Sequence, residues 1–342
     1  MIRLINNLNK LYEKSKTLKV SGWDEQKKRT FRFSIDFKDR QFKDIKRLDD
    51  FDFAGLLWQA GLINFSILND PEIEKLKKFL ETPTNKAKCI ALDSNIILYR
   101  FMENFINQYY YQVGSQFSGI IILPNACDHE FHFKTASTYH STDSIINIID
   151  SDKKIGSILC RTNKLDYINE RIEQVKNYNG RLGLKGKREI RKLQEMWPVI
   201  ISSPGHLYYS QKIQTEKNFI DAIFDSLIRI EINFFRKNTN ADIIFLTGDK
   251  DQHGAAQTEG TESLWIRPVN KWEDYLEKDK SLFHLNKILE LILELLVFSP
   301  YIKIEGDQLS HYYSFHWHNK TPKQNLDGII RCFNGVEYLH LS

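Results

Sequence analysis

Two aspartates stand directly after apolar runs, at positions where they could share a cation. Ile243-Ile244-Phe245-Leu246 leads into Thr247-Gly248-Asp249-Lys250-Asp251, and Cys89-Ile90-Ala91-Leu92 leads into Asp93-Ser94-Asn95. A short apolar run that stops at polar turn residues reads as a buried strand. The carboxyl edge of a parallel sheet is where open α/β folds place their ligands. Two acid-tipped strands in one sheet therefore predict a shared hard cation, Mg²⁺ or Mn²⁺, because these ions take oxygen ligands. The chemistry such a site supports is metal-assisted hydrolysis of a phosphodiester. One ion lowers the pKa of an attacking water, and a second, about 4 Å away, stabilises the leaving oxygen.

Further acids fall where the same sheet edge could gather them. Glu130 lies on the helix expected after the run 119–123, and Asp221 and Asp225 are four apart on one later helix, hence on one face. Packing carboxylates together without a cation is costly, since like charges raise one another's pKa. Ser94, Asn95 and Thr247 are short polar side chains placed to orient the carboxylates by hydrogen bonds. Plainer readings stand beside these. Asp93 and Asp249 also suit helix caps, Asp251 an exposed loop, and Asp221 an exposed helix face. His129 and His132 read as helix-surface residues. His316 and His318 share one strand face, but no third ligand stands at useful spacing, so zinc is not expected there.

A polyanionic substrate also needs cations. Arg181, Lys185, Lys187, Arg188, Arg191 and Lys192 form the densest basic cluster, interleaved with Gly183 and Gly186. It suits phosphate binding, which is salt-sensitive, or equally a solvated helix face. Tyr208 and Tyr209, after Pro204-Gly205-His206, suit packing or stacking on unpaired bases.

Residues 87–275 resemble the PIN-domain nucleases. The family's first motif, an apolar strand ending in Asp then Ser or Thr, is matched by Leu92-Asp93-Ser94-Asn95-Ile96. Its second acid is matched by Glu130 in Pro124-Asn125-Ala126-Cys127-Asp128-His129-Glu130. Its third is matched by Asp225-Ser226-Leu227-Ile228, with Asp221 as rival or co-ligand, and its fourth by Thr247-Gly248-Asp249. Lys185-Gly186-Lys187-Arg188 resembles the basic stretch that follows the second acid. The resemblance implies a PIN-like Rossmannoid parallel sheet flanked by helices. It also implies catalysis by Asp93, Glu130, Asp225 and Asp249, and one or two Mg²⁺ or Mn²⁺ ions held by these with Asp221 and Asp251. RNA comes ahead of DNA as substrate, and the products carry 5′-phosphate and 3′-hydroxyl ends. The interval from Glu130 to Asp225 exceeds that of compact members, which implies inserted helices, at about 141–215. Two other readings stay open: a structure-specific or single-strand DNA nuclease, and a catalytically silent nucleic-acid-binding scaffold on the same fold.

The elements that must position these residues alternate between strand and helix, which implies a parallel sheet with right-handed crossovers. Strands are expected at 89–92, 119–123, 200–201, 243–246 and 264–266. Helices are expected over 95–111, 141–197 with a break near Gly180 to Gly186, and 216–236. An N-terminal accessory region, 1–86, carries a short amphipathic helix, a hairpin turning near Gly22 and a helix opened by Pro71. A C-terminal region, 276–342, carries an apolar helix over 282–298 and a small antiparallel unit. That helix reads as core, or as a dimer face.

The 342 residues, 42% hydrophobic, can bury a core, so wholesale disorder is excluded. A net charge of +4 permits nucleic acid without demanding it. Four scattered cysteines, Cys89, Cys127, Cys160 and Cys332, offer no zinc knuckle and suit a reducing cytoplasm. The N-terminus lacks the apolar stretch of a signal peptide, and the 282–298 helix carries Lys287, Glu290 and Glu294, so no membrane span is expected. The accessory regions leave room for a homodimer or a regulatory protein partner. A dinucleotide-binding or P-loop protein is excluded by the absence of both glycine fingerprints.

Overall fold

The computed structural model describes residues 15–65, 70–111, 117–139, 143–151, 155, 159, 175–202, 217–267, 272–307, 310–316, 329–333 and 337–340. The N-terminal amphipathic helix, Tyr208, Tyr209 and His318 lie outside the described residues, as do the side chains of Asp221 and His316.

The chain divides into two compact units, each discontinuous in sequence. The first comprises Met1–Ile63, Lys134–Lys185 and Asn270–Ser342. It holds β1 (Thr17–Asp24), β2 (Arg29–Asp36), β3 (Gln41–Lys46) and α1 (Asp50–Gln59). The second comprises Asn64–Phe133 and Gly186–Val269. Its elements begin with α2 (Pro71–Glu81), β4 (Ala87–Leu92), α3 (Ser94–Leu98), α4 (Phe101–Ile106), β5 (Ile120–Pro124) and α5 (Asn125–Thr135). After α6 (Asp143–Ser151) in the first unit comes α7 (Tyr178–Met196), whose opening turns belong to the first unit and the rest to the second. The second unit continues with β6 (Val199–Ser202), α8 (Lys217–Asn238), β7 (Ala241–Thr247), α9 (Lys250–Thr258) and β8 (Ser263–Trp265). The first unit closes with α10 (Trp272–Lys278), α11 (Leu285–Phe298), β9 (Ile302–Glu305), β10 (Ser310–His316), β11 (Ile329–Phe333) and β12 (Glu337–His340).

In the first unit, one antiparallel sheet runs in the order β12-β11-β10-β9-β1-β2-β3. The regions read as separate N- and C-terminal accessories are therefore one structure, joined where Val20 pairs with Ile304. Alternating strand residues supply its core: Leu18, Val20, Phe31, Phe33 and Ile35 are buried, and Phe53 and Trp272 pack at 4.9 Å in an edge-to-face pair. The hairpin does not turn at Gly22. It turns at 25–28, with Lys28 in the left-handed region. Gly22 lies within β1 because a Cβ there would come 2.6 Å from the Phe31 ring. The leucine-rich α11 is core, with Ile288, Leu291, Ile292, Leu295 and Leu296 buried.

The second unit is an α/β structure around a five-stranded parallel sheet, order β6-β5-β4-β7-β8, flanked by helices and compatible with a Rossmann-like fold. The strand order reverses direction between β4 and β7. From β4 the chain moves outward to β5 and β6, then returns to the other side of β4 as β7. The crevice at such a switch point is the ligand-binding position of open α/β sheets. Asp93 follows β4 and Asp249 follows β7 by two residues, so both stand there.

Two expectations for the helices need correction. The helix expected over 95–111 is three pieces, α3, α4 and a π turn at Asn107–Tyr111, because Arg100 adopts the left-handed conformation with φ 53°. Glu103 holds its guanidinium through two hydrogen bonds of 2.7 and 2.8 Å. Conversely, α7 runs unbroken through Gly180, Gly183 and Gly186. Gly180 and Gly186 allow close approach rather than interruption: a Cβ on Gly186 would lie 2.4–2.5 Å from three carbons of the Phe131 ring.

That contact gives a paired test. Gly→Ala in a helix ordinarily stabilises by about 1 kcal/mol. Gly254 in α9 has no atom within 4 Å of the added methyl, so Gly254→Ala is expected to raise the unfolding midpoint. Gly186→Ala must displace α5 or the Phe131 ring and is expected to destabilise by about 1–3 kcal/mol. Urea unfolding of the two variants beside the parent decides it; a stabilised Gly186→Ala would show that α7 and α5 are not in that contact.

Candidate active site

The site is built outward from Asp93. Its backbone amide donates to the carbonyl of Leu246 at 3.0 Å, which continues the β4–β7 ladder by one residue. The extended backbone of Asp93 then caps α3, with Oδ1 accepting the Ser94 amide at 2.7 Å. Across the strand pair, Thr247 Oγ1 donates to Asp93 Oδ2 at 2.6 Å, and the same hydroxyl accepts the Asp249 amide at 3.0 Å. Ser94 Oγ donates to Glu130 Oε2 at 2.5 Å. One hydrogen-bonded chain thus runs Asp249–Thr247–Asp93–Ser94–Glu130.

This chain is buried: Asp93 is 2% exposed, Glu130 7% and Thr247 0%. Burial pushes the Asp93 carboxyl up to about 7, opposed by the Thr247 hydrogen bond and reinforced by the charges of Glu130 and Asp225. Glu130 and Asp225 therefore both lie near enough to Asp93 for their charges to act on it. Cys127, on α5 among the same carboxylates, has its thiol pushed well above its ordinary value, first by burial and then by Asp93. It stays protonated, and its Sγ–H points to the Leu92 carbonyl at 3.6 Å.

The other expected residues are placed as follows. Asp225 is half-buried on α8, where Arg229 links its carbonyl to Gln252. Asp249 caps α9 by accepting the amides of Asp251 at 2.7 Å and Gln252 at 3.4 Å. Asp251 is an exposed first-turn acid of α9, and Asn95 is exposed rather than bonded to a carboxylate. The basic cluster divides. Arg181 and Lys185, each 2% exposed, are withdrawn from any phosphate. Arg181 donates to Glu25 and to the carbonyls of Lys176, Val297 and Phe298. Lys185 is held by Glu294 and Gln59. Their burial beside acids is what removes them from the expected nucleic-acid surface. Lys187, Arg188, Arg191 and Lys192 remain partly exposed, Lys187 against His132 and Arg191 against Glu195. His129 bonds Asn125 within α5 at 2.9 Å.

One residue of the site escaped the sequence reading. Glu231, on α8, accepts the Ala126 amide at 3.3 Å and thereby caps α5, the helix that carries Glu130. Pro124 precedes that helix and has no side-chain acceptor to cap it. Burial pushes Glu231 up to about 7 as well. A signal existed: Ile228, Glu231 and Ile232 share the buried stripe of α8, and an acid in such a stripe is rarely idle.

The donor set is all hard oxygen, and the burial that raises Asp93, reinforced by the charges of Glu130 and Asp225, is what a divalent cation would offset. Its chemistry therefore fits Mg²⁺ or Mn²⁺. The spacing is looser: among the described residues no three acidic, histidine or cysteine side chains are gathered closely enough to hold an ion. Compared with protein-family models and with curated proteins, the sequence matches none.

The raised carboxyls make stability depend on pH. For Asp93 and Glu231 the folded pKa exceeds the unfolded one, so their contribution is fully present below about pH 4. It is lost as pH rises through about 7. In EDTA, Asp93→Asn and Glu231→Gln are each expected to unfold later than the parent at pH 8, by up to a few kcal/mol. The advantage should shrink towards pH 5. Thermal melts across that range check it, and parallel curves for parent and variants would refute the burial of these charges.

Proposed function

We propose that the unit formed by Asn64–Phe133 and Gly186–Val269 is a metal-dependent nuclease of the PIN type that hydrolyses phosphodiester bonds of RNA. The observation carrying this reading is the buried chain Thr247–Asp93–Ser94–Glu130 at the switch point of a parallel sheet. A buried carboxyl raised by desolvation and by specific neighbouring charges, as Asp93 is, marks a candidate functional site.

Asp93 and Glu130, with Asp225 and Asp249, would hold Mg²⁺ or Mn²⁺. The ion, when bound, supplies a water of lowered pKa and neutralises charge on the phosphate. Thr247 and Ser94 hold the Asp93 and Glu130 carboxylates in fixed orientation, the role of outer hydrogen bonds in metal sites. Glu231 fixes the start of the helix bearing Glu130. Lys187, Arg188, Arg191 and Lys192 are the remaining cations of the cluster for the strand's phosphates. The products would carry 5′-phosphate and 3′-hydroxyl ends.

One observation favours a second reading, a catalytically silent scaffold on the same fold: the loose spacing of the acids among the described residues. For partners and location, among the described residues no helix is long and apolar enough to cross a membrane. A cytoplasmic setting and an RNA partner belong to the proposal.

The full-length protein, incubated with labelled single-stranded RNA and matched DNA in Mn²⁺, Mg²⁺ or EDTA, tests the choice. Metal-dependent cleavage is expected, stronger on RNA, and lowered at least about 100-fold by Asp93→Asn or Glu130→Gln, the scale of losing a group that acts in the transition state. Preference for DNA would favour the DNA-nuclease reading. Absence of cleavage, with no metal bound in calorimetry, would leave the scaffold.

A further inference from the structure

Beside the acidic chain lies a group of side chains that the hydrolytic reading does not use. Trp265 ends β8, an edge strand of the parallel sheet, and pairs in register with Thr247. Its neighbours Leu264 and Ile266 are buried, but Trp265 itself is only partly buried. The indole Nε1 donates to the Gly248 carbonyl at 3.2 Å, which ties the ring to the residue before Asp249. The Arg267 guanidinium lies 4.5 Å from the ring centroid, and the Lys250 ammonium 5.9 Å from it. Both cations are on the solvent side of the unit, and Lys250 directly follows Asp249.

An exposed cation–π contact contributes only about 0.5–1 kcal/mol, and a smaller β-branched residue would serve an edge strand as well. The combination does match one ligand. Unpaired bases stack on aromatic rings and on guanidinium planes, and the adjoining phosphates take Lys or Arg. A base-paired strand keeps its faces stacked inside the duplex and cannot use such a platform.

We propose that Trp265, Arg267 and Lys250 form a nucleotide subsite for single-stranded nucleic acid. A base stacks against the Trp265–Arg267 pair, and Lys250 attracts the phosphate leading towards Asp249. The assignment rests on the nuclease reading for the direction in which the strand runs, while the binding itself does not need catalysis. It makes Trp265 a determinant of strandedness.

The test is fluorescence anisotropy of the full-length protein in EDTA at low salt. The probes are a short labelled single strand, as RNA and as DNA, the same strands with one abasic position moved along them, and the matching duplex. Trp265→Ala is expected to weaken the intact single strand about tenfold. One abasic position should weaken the parent protein by a similar factor and cost Trp265→Ala nothing more. Lys250→Ala should flatten the salt dependence by about one phosphate contact. Should Trp265→Ala fold poorly, Arg267→Glu, at an exposed position, and Trp265→Leu, which keeps an apolar side chain without a ring, carry the same comparison. Equal binding of parent and variants, abasic losses that persist without the ring, or no binding by the parent would overturn the subsite. Base-dependent binding without cleavage in any metal would retain the subsite and remove the nuclease; cleavage with base-independent binding would do the reverse.

Discussion

Thr247 Oγ1 donates to Asp93 and accepts from the Asp249 amide, and the rest of the acidic region is arranged around that hydroxyl. The bond exists only because β4 and β7 are adjacent and in register from Ala87↔Ala241 to Leu92↔Leu246. A slip of one residue would turn Thr247 to the other face of the sheet. It would also bury Asp93 without a donor for Oδ2, at a cost of about 1–3 kcal/mol or more for a charged group. The parallel pairing and the acid therefore specify one another. The apolar faces of both strands fix the register, and the register decides which oxygen Thr247 can reach.

The same constraint shows why parts of the architecture were legible in the amino-acid order. A buried parallel strand is largely apolar and stops at turn residues, so strands β4, β5 and β7 announce themselves, and so do the acids that follow β4 and β7. The α/β class follows from their alternation with helices. What a strand pairs with is not a local property. Nothing in Thr17–Asp24 states that its neighbour is Ile302–Glu305, so the two ends of the chain read as separate regions although they share a sheet. Glycine misled for a related reason. At Gly22 and Gly186 the absent Cβ makes room for Phe31, its partner across the hairpin, and Phe131, on another helix, contacts that local reading takes for a turn and a helix break.

Charge was the other illegible property, because sequence gives its sign and not its solvent. Arg181 and Lys185 belong by count to a basic cluster, yet their place on α7 puts both in buried ion pairs. Helical phase held part of the answer: Arg181, Lys185, Glu189 and Leu193 are spaced four apart and all are buried. Glu231 is the mirror case, an acid on a buried stripe whose partner is the unpaired start of α5 behind Pro124. In both cases a polar group in the apolar phase of a helix was paired with something the linear sequence does not show.

A helix-cap role and the proposed metal-ligand role, which the sequence leaves as alternatives for Asp93 and Asp249, do not exclude one another. A carboxylate has two oxygens and about four acceptor positions. Asp93 spends one on the Ser94 amide and one on Thr247, and Asp249 gives one oxygen to the first turn of α9. Capping thus leaves acceptor capacity on each group while removing its freedom to rotate. That matters most at Asp93, whose burial favours protonation. A flexible acid there would simply bind a proton and turn inward. A capped one presents the same face whether or not it is charged, and the free energy of desolvation then favours whichever cation, proton or metal, reaches it. The cap is in that sense compatible with the ligand role proposed for a buried acid rather than an alternative to it.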